Sequence, residues 1–413
     1  MSAVVIIAVG SRGDVAPLTG VGVRLSQAGH QVTMVAYPPF GTMITDCGLR
    51  FRALPADLDP AAGGEVSPVK ELAAFAAPAG MRALGSDIVA AVRDEPCDIL
   101  LLSPFAELAG HALAEAKGVP ALGVRLQPLS ATATYPPAVL GAWSAGAAGN
   151  RLAADAGSWI VDRLYGGVVA DLRRRLGLPN TSARALRAAR TRAHWPILHG
   201  YSPAVAPRPA DWRPGLEVTG YWWPAPTAGW LPPASLGEFL AAGSPPVFVG
   251  FGSMMTTPKR AAQLSELIGT AARTAGVRVI VQTGWTGLDI VDHDMLTIGD
   301  TPHDWLFPRV AAVAHHCGAG TTAAGLRAGV PTIALPAYGD GPFWANRLAA
   351  LGVSAGTIAQ RRLNAERLAA AMRTAVDEPD LRHRAHAVAR TLSGEDGAGR
   401  VVSVVESLLG RST

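Results

Sequence analysis

Two short segments of this chain carry residues whose types and spacing could do chemistry. The first is His315-His316-Cys317-Gly318-Ala319-Gly320-Thr321-Thr322. It lies between an apolar run, Ala311–Ala314, and a helical pattern at Thr321–Ala328. Open α/β sheets bind ligands outside the carboxyl ends of their strands. Glycines there remove side chains, so backbone N–H groups can approach an anion, and a helix start adds roughly half a positive charge. His316 can add a hydrogen bond to a phosphate oxygen, and nothing in this chemistry needs a metal. The segment alone leaves a blander alternative open: Gly-rich strand–helix turns are common, and both histidines could equally be satisfied core groups. The second segment is Gly10-Ser-Arg-Gly-Asp14, directly after the apolar run Val4–Val9. Asp14 would sit at the cleft end of a sheet, where a carboxylate can act as a general base. Its position before Val15 and Pro17 equally permits a helix N-cap.

Both segments need a strand and a helix to hold them, and the sequence supplies these twice. Val4–Val9 is continuously apolar, as expected of a parallel strand covered on both faces. Pro17 opens a helix to about Gln27, and Val32–Ala36 reads as the second strand. Ile99–Ser103 and Ala121–Leu126 follow as strands, with a helix at Glu107–Lys117 between them. Gly141–Gly149 reads as a loop, and a helical stretch runs over 151–176. A second alternation begins at Val247–Gly250, with a Gly252-Ser253 turn and a helix from Pro258. Strands are expected at Val277–Gln282, Leu296–Ile298, Ala311–Ala314 and Thr332–Leu335. The predicted fold class is α/β, with two Rossmann-like, doubly wound domains facing across a cleft. The boundaries predicted are an N-terminal acceptor-binding domain over 1–205 and a Pro/Trp-rich linker over 206–240. A C-terminal nucleotide-sugar domain then covers 241–393, and a last amphipathic helix over 394–413 packs back on the first domain.

Several motifs in one order resemble a known family. His315–Thr322, Ala324-Gly-Leu-Arg-Ala-Gly-Val-Pro331 and Gly339-Asp-Gly-Pro-Phe-Trp-Ala-Asn346 resemble the donor site of GT-B glycosyltransferases. Gly10–Pro17, Val247–Ser253 and Pro302-His-Asp-Trp-Leu-Phe-Pro308 are similar to the same family. The likeness is to sterol glucosyltransferases and to vancomycin-group antibiotic glycosyltransferases. It implies that Ser253, His316, Gly318, Gly320 and Thr321 hold the diphosphate of a UDP- or dTDP-sugar. It further implies that backbone near Pro302 and Trp305 receives the base, that Asp340 binds donor-sugar hydroxyls, and that Asp14 is the base of an inverting hexosyltransferase. Two positions depart from the family pattern. Gly341 stands where relatives carry Gln, which removes one amide and points to a deoxysugar donor. Cys317 stands where relatives carry Gly. The nucleotide sugar is a substrate, and no cofactor or metal is expected.

The acceptor should lie in the first domain. Phe75, Phe105, Leu129, Tyr135 and Trp143 are its candidate lining, and each is also an ordinary core residue type. Their apolar character favours a lipophilic small molecule. His111 is a weaker candidate base.

The bulk composition excludes other classes. The 413 residues exceed what one core usually holds, so two domains are expected. Hydrophobic residues make up 49% and charged residues 16%, which suits buried sheets and excludes disorder. A net charge of +4, with no dense basic block beyond Arg173–Arg175, predicts no nucleic-acid partner. Lys70, Lys117 and Lys259 are the lysines, and none completes a GxxxxGK[ST] loop. Three dispersed cysteines argue for a reducing compartment, hence the cytoplasm. No apolar run approaches the length of a membrane span. A nicotinamide dehydrogenase would need an acidic residue after its second strand, where Tyr37 stands. A sugar-nucleotide 2-epimerase of the same architecture, or an inactive activator partner, remain the alternatives.

Overall fold

The computed structural model describes residues 1–55, 74–226, 229–254, 256–290 and 292–410. Positions 227 and 228 of the expected linker and 411–413 of the expected tail lie outside the described residues.

Two parallel sheets organise the chain. The first contains β1 (Ala3–Ile7), β2 (Gln31–Ala36), β3 (Arg50–Ala53), β4 (Ile99–Leu102), β5 (Ala121–Arg125), β6 (Ile197–His199) and β7 (Leu216–Val218), in the spatial order β3-β2-β1-β4-β5-β6-β7. The second contains β8 (Val247–Gly250), β9 (Val279–Gln282), β10 (Met295–Ile298), β11 (Ala312–His315), β12 (Thr332–Ala334) and β13 (Ser354–Thr357), in the order β10-β9-β8-β11-β12-β13. Every paired neighbour is parallel. Such strands are covered by helices on both faces, which is why β4 and β8 are short apolar, buried runs, as are Val4–Ile7 of β1 and Val279–Val281 of β9.

The order of each sheet reverses at one place. In the first sheet the chain winds one way from β1 to β3 and the other way from β4, so the switch lies between β1 and β4. Val4 pairs with both Val32 and Ile99 there. In the second sheet the switch lies between β8 and β11. A crevice opens outside the strand ends at such a point, because the crossover connections depart to opposite faces. The loops after β1 and β11 therefore leave from the crevice of their own sheet.

Several elements differ from the sequence expectation, each for a physical reason. The first helix spans Arg12–Gln27, so Pro17 lies inside it instead of opening it. Proline lacks the N–H that would bond the Gly13 carbonyl four residues back, and the helix tolerates this near its start. β3 is an edge strand with exposed arginines, so no apolar run betrays it. β6 and β7 have three residues each, and β7 falls inside the Pro/Trp-rich stretch 206–240. In that same stretch the helix Ala234–Ala241 buries Leu236 against Phe248 and Ile280 of the second half. The segment crossing between the sheets is thus shorter than composition suggests.

The halves share apolar contacts. Tyr201, Trp212 and Tyr221 from the first half pack in one cluster with Cys317, Trp344 and Leu392 from the second. The helix Gly397–Leu408 returns to the first half, where Val401 and Val405 are fully buried in its core. Full burial of one such side chain contributes roughly 1.5–3 kcal/mol, so this return holds the chain end against the first domain.

Candidate active site

Asp14 is built into the start of the helix Arg12–Gln27. Its carboxylate accepts hydrogen bonds from the Ser11 backbone N–H at 2.8 Å and from the Ser11 hydroxyl at 3.0 Å. Asp14 is the third residue of the helix and Ser11 its cap, so the acid side chain closes a capping box. Gly10 makes this possible. Its φ is +145°, and a Cβ there would fall 2.4 Å from the Asp14 carboxylate. Burial raises the Asp14 pKa above the ordinary carboxylate value, against the opposing pull of its hydrogen bonds from Ser11 and of the nearby Gln127 amide. A raised pKa makes a carboxylate a stronger base at neutral pH.

The facing loop leaves β11. The helix it feeds, Ala319–Ala328, starts after Gly318, has no side-chain cap and no acidic residue in its first turn. Its leading N–H groups therefore present an uncompensated positive end. Gly318, Ala319, Gly320 and Thr321 all line a cavity of about 1170 Å³ between the two halves. The loops come close: a Cβ on Gly320 would lie 3.8 Å from the Gly13 carbonyl. Asp14 and the open helix end thus meet across one space.

His316 occupies a slot between Gly252 and Gly318, where a Cβ would fall 3.0 Å and 2.4 Å from the ring. Its Nδ1 is buried and has no hydrogen-bond partner. Burial lowers its pKa to about 4, so at neutral pH the ring is an uncharged donor. His315 points the other way, accepting from the Cys317 backbone N–H at 3.0 Å through Nδ1, and burial holds it neutral as well. The pair divides into one residue that fixes the loop and one that faces the cavity. Cys317 adopts φ +64°, a conformation that favours glycine.

Asp340 precedes the helix Gly341–Ala350 and accepts a hydrogen bond from Trp344 Nε1 at 2.8 Å. Burial, with a smaller contribution from the nearby Asp14 charge, raises its pKa to about 6. Two carboxylates from opposite halves are therefore close enough to feel each other.

The other sequence-predicted residues divide. Ser253, Pro302, Phe75 and Phe105 line the cavity, the two phenylalanines in an edge-to-face pair with centroids 5.2 Å apart. Trp305 does not line it: its ring packs on Trp230 and under the Arg309 guanidinium. Tyr135 turns onto Phe343, Trp143 is exposed with its Nε1 donating to the Leu140 carbonyl, and Leu129 is also outside the lining. The loop after β5 therefore sends these three away from the cavity. His111 packs edge-on to Trp195, and burial lowers its pKa far below the usual value. Sequence reasoning missed Tyr37, Met43, Leu126 and Gln127, which do line the cavity. Their signal was position, since Tyr37, Leu126 and Gln127 directly follow the ends of β2 and β5.

Comparison with known proteins agrees with this geometry. Residues 4–136 match the glycosyltransferase family 28 N-terminal domain. Residues 277–408 match the erythromycin biosynthesis protein CIII-like C-terminal domain. The chain is 33% identical, over 98% of its own length and 96% of the relative's, to the O-mycaminosyltylonolide 6-deoxyallosyltransferase of Streptomyces fradiae. The chain belongs to the GT-B glycosyltransferases. It is also 31% identical, over 97% of its length, to the sterol 3-beta-glucosyltransferase of Eremothecium gossypii, a longer protein of which it spans 34%. Among solved structures, the glycosyltransferase VinC in complex with dTDP superposes with a TM-score of 0.68 at 18% identity, covering 99% of this chain and all of that one. That likeness is one of fold. The glycosyltransferase accordingly carries its two motif loops at the switch points of its two sheets. Among its described residues no helix is long and apolar enough to cross a membrane.

Proposed function

We propose that this glycosyltransferase moves a hexose or deoxyhexose, with inversion, from a UDP- or dTDP-sugar to a hydroxyl of a lipophilic small molecule. The observation that carries the reading is the opposition of Asp14 to the uncapped helix end at Gly318–Thr321 within one cavity. Inversion needs a base and a leaving-group site on opposite faces of the sugar. Asp14 takes the proton of the acceptor hydroxyl as its oxygen attacks the anomeric carbon. The bond to the diphosphate breaks, and its growing charge meets the amide N–H groups of residues 318–321 and the His316 ring. Arg12 also lines the cavity, in an exposed ion pair with Asp300. These groups do not require a metal, and we assign none to the reaction. Pro302 and the neighbouring backbone form the wall against the base, and Asp340 binds sugar hydroxyls.

The acceptor reading is supported by the first-half wall of the cavity, where Tyr37, Met43, Phe75, Phe105 and Leu126 are apolar or amphipathic. The names of the two relatives, an O-mycaminosyltylonolide 6-deoxyallosyltransferase and a sterol 3-beta-glucosyltransferase, favour the same class. Three free cysteines fit a reducing compartment, and we place the enzyme in the cytoplasm.

The test has two parts. Thermal shift with UDP, dTDP and GDP should raise the melting temperature for one uracil or thymine nucleotide, since a ligand of the native state stabilises it. The matching sugar nucleotide should then glycosylate a macrolide or sterol hydroxyl, and should remain unconverted to its 2-epimer when no acceptor is present. Absence of any nucleotide effect, or epimerisation without acceptor, refutes the reading.

A further inference from the structure

The side chain missing at position 341 has a structural cause. Gly341 opens the helix that follows Asp340, and a Cβ built on it falls 2.8 Å from the His316 carbonyl oxygen. Real Cβ atoms do not approach backbone oxygens that closely, so the helix start lies too near the phosphate loop to carry a side chain. From its own half, Asp340 receives the indole N–H of Trp344. That leaves the cavity-facing part of the carboxylate without an amide from residue 341.

An amide reaches it from the other half. Gln127 lies two residues beyond β5 and lines the cavity. Asp14 and Asp340 line the same cavity, and the Gln127 carboxamide is near enough to both carboxyls to oppose the rise in their pKa. An ionised carboxylate only accepts, whereas a carboxamide has two N–H donors and a carbonyl acceptor. Gln127 can therefore turn an N–H into the space beside Asp340, where the carboxylate can only accept. Asp14, Gln127 and Asp340 thus line one cavity, together with the open end of the helix Ala319–Ala328.

We propose that Gln127 is a donor-sugar specificity residue, whose carboxamide is delivered across the cleft to read the sugar hydroxyl that Asp340 binds. A hydroxyl placed there donates its proton to the Asp340 carboxylate and accepts an N–H from Gln127, so both of its hydrogen-bonding senses are used. A deoxy position offers neither, so the Gln127 N–H and the cavity side of the Asp340 carboxylate each lose a partner inside the filled site. The sugar half of the donor site is consequently assembled from both domains, whereas the diphosphate half belongs to the second domain. The inference rests on the cavity being a nucleotide-sugar site.

The experiment is calorimetric and needs no acceptor. Wild type, Gln127→Leu and Gln127→Asn are titrated with the nucleoside diphosphate that the wild type binds, with its glucose conjugate, and with monodeoxy versions of that conjugate. Gln127→Leu should weaken the glucose conjugate by about 10- to 100-fold, the range for a lost hydrogen bond in a site built around a hydroxyl. Binding of the diphosphate alone should stay within about twofold, because the proposal gives the diphosphate to the second half and Gln127 to the sugar. The penalty should disappear for one monodeoxy conjugate, and Gln127→Asn, which keeps the amide on a shorter stem, should lose less than Gln127→Leu. Equal losses for diphosphate and conjugate would mean a structural role and overturn the proposal. So would unchanged conjugate affinity in both variants, or a penalty identical for every deoxy conjugate. A wild type that binds no nucleoside diphosphate overturns the reading of the site itself, a result distinct from variants that bind diphosphate and conjugate alike.

Discussion

Asp340→Asn offers a test in which stability and function move in opposite directions. The native pKa of Asp340 is raised from 3.8 to about 6, first by burial and then by the Asp14 charge. Between those values the folded protein holds a proton that the unfolded chain has released. Stability contributed by this group is therefore full near pH 4, falls as pH rises toward 6, and is lost above about 7. Two pKa units correspond to about 3 kcal/mol at most. Water in the cavity screens part of that, so a penalty of about 1–2 kcal/mol at pH 8 is the working figure. Asparagine keeps an oxygen for the Trp344 N–H, whose bond is 2.8 Å in the native protein, and carries no charge to desolvate. The variant should melt about 2–8 °C higher than wild type at pH 8, given ~2–4 °C per kcal/mol for domains of this size. At pH 4.5 the difference should shrink toward zero. Parallel titrations should show weaker binding of the sugar nucleotide and unchanged binding of the nucleoside diphosphate. An equal or lower melting temperature at pH 8, or a gain that does not change with pH, refutes the account of a strained buried carboxylate.

Asp14→Asn should preserve folding and nucleotide binding and reduce kcat by at least ~100-fold, the low end for loss of a general base; near-normal turnover would remove Asp14 from the mechanism. His316→Ala should weaken the nucleoside diphosphate about tenfold or more in calorimetry, because a half-buried ring that lines the cavity and can donate a hydrogen bond is removed. Cys317→Gly relieves a backbone at φ +64° and should stabilise the protein slightly, since strain of ~1–2 kcal/mol exceeds the packing of one small thiol; a clear loss of stability in chemical denaturation would count against this. Gly20→Ala should destabilise by several kcal/mol, roughly as for overpacking at its upper end, because its Cβ would fall 1.8 Å from the Trp223 carbonyl of the interdomain segment. Turnover should survive exhaustive chelation, as the helix end and the neutral His316 ring supply the hydrogen-bond donors; abolition by chelator and recovery with a divalent ion would overturn the metal-free assignment.

The strand–turn–helix units around Gly10–Asp14 and His315–Thr322 were legible because their signals are local. A parallel strand buried on both faces must be apolar, a tight strand–helix turn sheds side chains, and a helix must begin where the chain turns. Two such units imply two sheets, so the architecture followed from periodicity and the motifs from residue type. Edge and very short strands escaped, since β3 carries exposed arginines and β7 has three residues. Tertiary packing alone decided which side chains of a loop face the cleft. Tyr135, Trp143 and Gln127 all follow β5, yet Tyr135 turns onto Phe343, Trp143 into solvent, and Gln127 to the two carboxylates. Trp305 likewise left the cavity for Trp230. Sequence specifies a residue's chemistry and its place along an element, whereas its neighbours are set by distant segments that arrive only when the two halves close. The same holds for the glycine at 341, whose necessity is the His316 carbonyl 2.8 Å from where a Cβ would be.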